Sequence, residues 1–397
     1  MARPDAFAYN LRMDTSILET VARATRLREG PAGVAAVLRA VYRAGSLRLQ
    51  EVAREARLPL PVATAIRREL EKAGLLERKH GLSLTETGQH FVETALGLGV
   101  THDMTCPACG GRGIVIPEEL RASVERLATI IAGAPPVDVT LDQCPCVPET
   151  AMLRALLMLK NGALEGRRVL ILGDDDSLSV AIGLAGRALR NGDLTRGVTV
   201  VESDPRRVDF LRAAAASEEI AIEVVAHDLR DPLPARLARA FDVVATDPPY
   251  TLGGANLFLG RGAEALTGDG ACYFSFTQWP APQLAELQRL FLDLGFVVRA
   301  LHQGFNRYLG AGVLGNVGDL IELAQVRPPD GDLPVWTGPL YTAEANPRTR
   351  IYVCAACGAE TVLGGDGAPA TIEALKTAGC RQCGGKIFRR RAGERPI

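Results

Sequence analysis

Lysine is scarce in this chain: only five of its 45 basic residues are lysine, and the rest are arginine. Arginine's planar fork suits multidentate pairing rather than point-charge contact, and the bias says nothing about growth temperature. An excess of either charge is also missing, since 45 Lys and Arg face 46 Asp and Glu. Such a balance offers no broad basic surface, so composition favours neither nucleic acid nor membrane as a partner. No stretch reaches the roughly 18 uncharged apolar residues of a membrane-spanning helix. Asp5, Arg12 and Asp14 interrupt the start of the chain, so no cleavable leader is expected and a soluble, cytoplasmic protein is. Internal repeats and low-complexity tracts are lacking too.

What is present is enough apolar residue, 47 %, to build a proper core. A length of 397 residues suggests two to four domains. Residues 1–100 read as a winged-helix domain. Val34, Val37, Leu38 and Val41 share one helical face, and "LQEVAREARL" followed by "PVATAIRRELEKAGLL" resembles a helix-turn-helix. "GLLERKHGLSLTETG" then resembles the wing. Arg67, Arg68 and Lys72 fall on or near the second of these helices. DNA binding is one use of such a module. Dimerisation or docking is favoured here, because charge is balanced elsewhere and an enzyme domain follows, so a homodimer is expected. Residues 101–160 read as a connector with two cysteine pairs, 161–330 as the catalytic domain, and 331–397 as a linker and a small cysteine-bearing module.

The catalytic stretch alternates buried strands with helical patterns, the signature of a Rossmann-like α/β sheet. Its first strand, Val169 to Leu172, turns at Gly173 and enters a helix near Ser177. Later strands end at Glu202, near Asp228 and at Asp247. Ligands of such sheets bind at the carboxyl ends of the strands. Glu202 is placed to accept from ribose hydroxyls and Asp228 to reach an adenine amino group, so an adenosine-containing co-substrate is expected.

The first turn lacks the G-x-G-x-x-G that a pyrophosphate requires. It reads Gly173-Asp174-Asp175-Asp176-Ser177. Three carboxylates there repel a phosphate, and also the carboxylate of S-adenosylmethionine. A wholly cationic reactant, decarboxylated S-adenosylmethionine, suits the turn better. One of the three also suits a helix cap. "DPPY" at 247–250 closes the fourth strand: Asp247 and the rigid prolines accept N–H groups, and Tyr250 packs over a developing cation. The group attacked is therefore an amine or amide nitrogen.

With "GDDDS" at 173–177, "DPPYT" at 247–251, "LDQ" at 141–143 and "FNRYLGAGVLGNVGDLIEL" at 305–323, the chain resembles the branched-chain polyamine synthase family. The resemblance covers the winged-helix block and the α/β core. It implies an aminopropyltransferase that moves aminopropyl groups from decarboxylated S-adenosylmethionine to the secondary amine of spermidine. The products are a tertiary amine, then a quaternary ammonium, with methylthioadenosine released each time. It further implies that an aspartate of 174–176 deprotonates the amine, Asp176 before Asp175, and that Asp247 and Tyr250 shape the acceptor pocket. Gly173, Asp174, Glu202 and Asp228 belong to the co-substrate side, and Asp142 adds an anionic contact to the polyamine. The competing expectation is an S-adenosylmethionine-dependent N-methyltransferase acting on a DNA or RNA base. A regulator that only senses an adenosine metabolite is a weaker rival.

Nine cysteines are present, eight of them in close pairs. Such pairs in a cytosolic chain point to metal rather than disulfides. Cys354, Cys357, Cys380 and Cys383 have C-x2-C-x22-C-x2-C spacing, which predicts a closed tetrahedral zinc site in a zinc-ribbon-like module. Cys106, Cys109, Cys144 and Cys146 are a weaker candidate for a second site, and Cys272 reads as core. Lys386 with Arg389 to Arg391 reads as a solvated basic run, and the glycines at 304, 310, 312, 315 and 318 as a lid over the substrate.

Overall fold

The computed structural model describes residues 17–56, 58–99, 101, 106, 108–309, 317–329, 333–345, 350–363 and 372–390. At the N-terminal end, helices α1 (Gly30–Ala44), α2 (Leu49–Glu55) and α3 (Leu60–Lys72) pack together. An antiparallel pair, β1 (Leu76–Arg78) and β2 (Leu82–Leu84), and helix α4 (Glu86–Thr94) complete the unit. The four apolar positions of α1 lie together in its core, as their spacing requires: Val34, Val37, Leu38 and Val41 are fully buried. The basic residues of α3 do not form one cationic face. Arg67 is buried and pairs with Glu71, Lys72 pairs with Glu69, and Arg68 is exposed.

The catalytic sheet has seven strands: β3 (Arg168–Leu172), β4 (Gly197–Glu202), β5 (Ile222–Ala226), β6 (Phe241–Thr246), β7 (Leu266–Phe276), β8 (Phe296–Arg307) and β9 (Val317–Gln325). Their order is β5-β4-β3-β6-β7-β9-β8, parallel from β5 to β7 and antiparallel thereafter. Side chains alternate between the two faces with the two-residue period of a strand. Val169 and Ile171 join one apolar cluster, and Leu170 and Leu172 the other. Helices cover both faces, so β3 is apolar almost throughout. Chain order reverses at β3, so the crevice beyond its carboxyl end is where a ligand is received.

Several expectations need revision. The second half of the supposed connector belongs to the core, because α5 (Arg121–Ala132) and α6 (Pro148–Lys160) pack with the sheet. The supposed linker beyond Val326 is tied down as well. Buried Arg261 donates to the carbonyls of Leu333 and Pro334, and Trp336 N donates to the Arg230 carbonyl. Leu340 is buried and Tyr341 packs against the same cluster, so residues 333–345 cross the mouth of the crevice as a strap. The lid reading is divided: Gly304 lies in β8 and Gly318 in β9, while Gly310, Gly312 and Gly315 fall outside the described residues. Gly318 is required by packing, since a Cβ there would lie 2.9 Å from the Phe276 carbonyl oxygen.

Beyond the strap, β10 (Arg350–Cys354), β11 (Glu360–Leu363) and β12 (Phe388–Arg390) form a separate sheet of order β11-β10-β12. Lys386 and Arg389 are exposed there, and Arg391 lies outside the described residues. Cys272 is buried in β7, as core. Among the described residues no helix is long and apolar enough to cross a membrane.

Candidate active site

The crevice is built from the turn after β3, the loops after β4, β5 and β6, the segment 141–146 and the strap. The turn begins at Gly173, whose φ of 70° lies in the left-handed region that a side chain resists. From there the three successive aspartates diverge.

Asp174 points back to the start of α7 (Leu178–Arg190). It accepts from Leu178 N at 2.6 Å and from Ser179 N and Oγ at 3.2 and 2.5 Å. Burial nevertheless pushes its carboxyl up to about 7. It is thus chiefly a cap, and it also lines an inner cavity together with Arg154 and Asp176. Asp176 is also buried, accepts from Cys146 N at 2.5 Å and forms an ion pair with the Arg154 guanidinium. Asp175 alone opens to both compartments of the crevice, holding Cys144 N at 2.8 Å with one oxygen. Burial, then the charges of Asp176 and Asp247, raise its carboxyl well above the usual range. The expectation of one anionic patch of three is therefore corrected: the turn presents a single free carboxylate.

Asp247 follows β6 and stands on the other side of the opening. Arg154 Nη2 donates to its Oδ2 at 2.8 Å and Tyr308 Oη at 2.7 Å. Burial pushes Asp247 up to about 6, with Arg154 opposing and Asp176 adding to the rise. Tyr250 sits edge-on to Phe276 at 5.3 Å and to Tyr308 at 6.3 Å, walling the same opening with aromatic surface. Burial raises both phenols well above their ordinary value, so they remain protonated and Tyr308 is a donor to Asp247.

Two adjoining compartments share Asp142, Asp175 and Asp247. One is lined by Gly173, Glu202, His227, Asp228, Phe258 and Tyr341, among others. Glu202 accepts from the backbone N–H of Asp174, Ser203 and Asp204, which fixes its carboxylate at the strand end. Asp228 is exposed in the turn after β5, and His227 Nε2 is buried without a partner. The other compartment adds Cys144, Pro248, Tyr250 and Thr342 to the shared carboxylates. Asp142 has a left-handed φ of 53° and accepts from Thr342 N at 2.6 Å, tying the strap to the 141–143 segment.

The structure thus gathers Asp142, Gly173, Asp175, Glu202, Asp228, Asp247 and Tyr250 at one crevice, leaves Asp174 and Asp176 behind its wall, and adds residues the sequence reading passed over. Arg154 is foremost, and its signal was there: one cation in the apolar run of α6. Tyr308 lay inside a stretch singled out only as a block, and Tyr341 at the presumed start of the cysteine-bearing module.

The four C-terminal cysteines converge. Their sulfurs lie within 4.8 Å of one another, with Cys354–Cys383 and Cys357–Cys380 at 3.6 Å. Tetrahedral zinc with bonds of about 2.3 Å needs sulfurs about 3.8 Å apart, so the donor set fits. The second cysteine set is not a cluster: among the described residues, only the C-terminal four gather as potential ligands. Cys146 is instead buried beside Asp176, and Cys144 lines the second compartment.

This sheet and crevice have known counterparts. Residues 123–337 match the Branched-chain polyamine synthase A C-terminal domain. The N(4)-bis(aminopropyl)spermidine synthase of Thermus thermophilus is 35 % identical over 75 % of this chain and 83 % of its own length. The chain belongs to the branched-chain polyamine synthase family. An uncharacterized protein of Methanocaldococcus jannaschii is 34 % identical over 94 % of this chain and 92 % of its own length. The crystal structure of the Thermus thermophilus branched-chain polyamine synthase, in complex with N4-aminopropylspermidine and 5'-methylthioadenosine, covers 84 % of this chain and 98 % of its own. It aligns with a TM-score of 0.66 at 30 % identity. The Rossmann-like, methyltransferase-type sheet of the family is therefore the fold of this chain.

Proposed function

We propose that this chain is an aminopropyltransferase that transfers the aminopropyl group of decarboxylated S-adenosylmethionine to the secondary amine of spermidine, releasing methylthioadenosine. One observation carries the reading: a compartment at the strand ends, bearing Glu202 and Asp228, and an anionic one walled by Tyr250 meet at Asp175 and Asp247. Glu202 would hold the ribose hydroxyls and Asp228 the adenine amino group, with Phe258 and Tyr341 as apolar walls. Spermidine's cationic arms would lie along Asp142, Asp247 and the face of Tyr250.

Asp175 is the favoured proton acceptor, ahead of Asp176, because among the described residues no guanidinium forms an ion pair with it and it reaches both compartments. A protonated amine is no nucleophile, so its proton passes to the Asp175 carboxylate. The freed lone pair attacks the methylene carbon on sulfur. The carbon–nitrogen bond forms as the carbon–sulfur bond breaks, and that electron pair neutralises the sulfonium. Holding nucleophile and carbon in line supplies most of the remaining acceleration. A second transfer to the tertiary amine gives a quaternary ammonium, whose permanent charge the carboxylates still accommodate.

The N-terminal unit is read as a winged helix serving docking or dimerisation, because α3 buries or pairs two of its three cations. The C-terminal sheet is read as a zinc ribbon in which Cys354, Cys357, Cys380 and Cys383 hold the ion and no position stays open for chemistry. The deciding experiment incubates purified protein with spermidine and decarboxylated S-adenosylmethionine and weighs the polyamines by mass spectrometry. The expected result is one or two aminopropyl increments. No increment, together with methylation of nucleic acid from S-adenosylmethionine, would replace this reading by the methyltransferase one.

A further inference from the structure

We propose that Arg154 is a positioning residue that divides the carboxylates of the centre: it ties down Asp176 and Asp247 through its guanidinium fork and leaves Asp175 to take the proton. The proposal rests on the aminopropyl-transfer reading above.

Arg154 is buried in the middle of α6 with 4 % of its surface exposed, a place where the surrounding sequence is otherwise apolar. All three guanidinium nitrogens are engaged. Nε donates to Asn306 Oδ1 at 2.8 Å, Nη1 to Asp176, and Nη2 to Asp247 at 2.8 Å and Tyr308 Oη at 3.2 Å. The fork therefore joins α6, the turn after β3, the end of β6 and the carboxyl end of β8. Only a planar, multidentate cation reaches four such partners at once. Each consequence bears on chemistry. The Arg154 guanidinium bridges the Asp176 and Asp247 carboxylates and offsets their charge next to Asp175. Asp247 is held through Oδ2, on which both Arg154 and Tyr308 converge. Asp175 receives no Arg154 bond; it faces Asp176, Asp247, Cys144 and, from α8 (Pro205–Ser217), Arg207. Arg207 donates to the Asp175 backbone carbonyl, not to its carboxylate.

Removing the Arg154 charge leaves two uncompensated carboxylates beside Asp175, and the charged form of Asp175 is disfavoured. Its proton is then held to higher pH, so the acidic limb of the pH profile moves upward. Losing an opposite charge at this range shifts such a limb by about one unit or more. A purely structural ion pair would lower stability and yield without moving the limb.

The test measures kcat/KM for transfer to spermidine between about pH 5.5 and 9.5 for wild type, Arg154→Lys, Arg154→Gln, Asp176→Asn and the double variant Arg154→Gln/Asp176→Asn. Spermidine's own ionisation is common to all and cancels in the comparison. Arg154→Gln is expected to raise the limb by about one unit, with kcat falling more than KM rises. Arg154→Lys keeps the charge and so the limb, while losing about tenfold in kcat with the fork. The double variant, with the local charge balance restored, returns the limb toward wild type. Should Arg154→Gln alone fail to fold, the double variant against Asp176→Asn isolates the same charge, and its limb must lie about one unit higher. A limb that stays put when the charge is removed overturns the proposal, as does an Arg154→Lys limb that moves with Arg154→Gln. Wild-type protein that transfers no aminopropyl group would instead sink the underlying reading.

Discussion

Asp175→Asn is the sharpest perturbation of the centre, and it is best made beside Asp176→Asn. Asparagine keeps a carbonyl oxygen for Cys144 N, now at 2.8 Å from Asp175, so the 143–145 segment need not move. What disappears is the proton acceptor. General base catalysis contributes about 10²- to 10⁴-fold, so kcat should fall by that factor, a rise of about 3–5 kcal/mol in the barrier. Loss of one charge from the compartment walled by Tyr250 should also raise KM for spermidine, while methylthioadenosine binding, assigned in the proposal to Glu202 and the apolar walls, should stay near wild type. Asp176→Asn acts differently, because it breaks a buried pair with Arg154. Removing one partner of a buried pair costs about 3–5 kcal/mol, equivalent to roughly 6–20 °C in Tm. Transfer at the permissive temperature should survive at a reduced rate. Single-turnover product analysis by mass, calorimetric titration with methylthioadenosine and thermal melts give the three readouts. If Asp175→Asn turns over normally while folded Asp176→Asn is silent, the assignment of the proton acceptor is reversed.

Other consequences follow from individual contacts. Asp204 caps α8, bonds the Arg206 side chain and Gln143, and is held down to about 2, chiefly by Arg206. A depressed carboxyl stabilises the fold above its unfolded value near 4 and loses that contribution as pH falls through 2. Asp204→Ala should therefore cost about 2 kcal/mol at pH 7 and nearly nothing below pH 2, as denaturation at the two pH values would reveal. Gly254→Ala places a Cβ 2.3 Å from the Pro249 carbonyl oxygen. It should cost about 1–3 kcal/mol and displace the 247–250 loop, lowering transfer at least about tenfold; undiminished activity would show that the loop tolerates the shift. Elemental analysis should find one zinc per chain, lost in Cys357→Ser, with the C-terminal sheet becoming protease-sensitive while the catalytic domain keeps its Tm. Short duplex DNA should bind no tighter than about 10⁻⁴ M at physiological salt, measured by anisotropy, given the paired cations of α3.

Much of the architecture could be read from the chain because it depends on local chemistry. The α1 face appears as a helical spacing of valines and a leucine, and β3 as an uninterrupted apolar run. Glu202 and Asp247 could be located because a parallel sheet always presents its strand ends to the ligand. The cysteine quartet could be read for a similar reason, since two C-x2-C knuckles bring their own thiolates together. Roles inside the triple aspartate could not be read. Identical side chains at neighbouring positions diverge only when the turn's dihedral angles are known, and each then meets a different partner.

The sequence by itself therefore determined the sheet, its strand ends, the residue types at the crevice and a thiolate site, all of which follow from periodicity and short-range spacing. Only the tertiary structure decided which carboxylate is capped, which is paired and which is open, and made a strap of an apparent linker. Those outcomes depend on where Arg154, Tyr308 and Tyr341 arrive from distant parts of the chain. A carboxylate's charge state and reach are set by burial and by the nearest cation, and neither is a property of its position in the sequence.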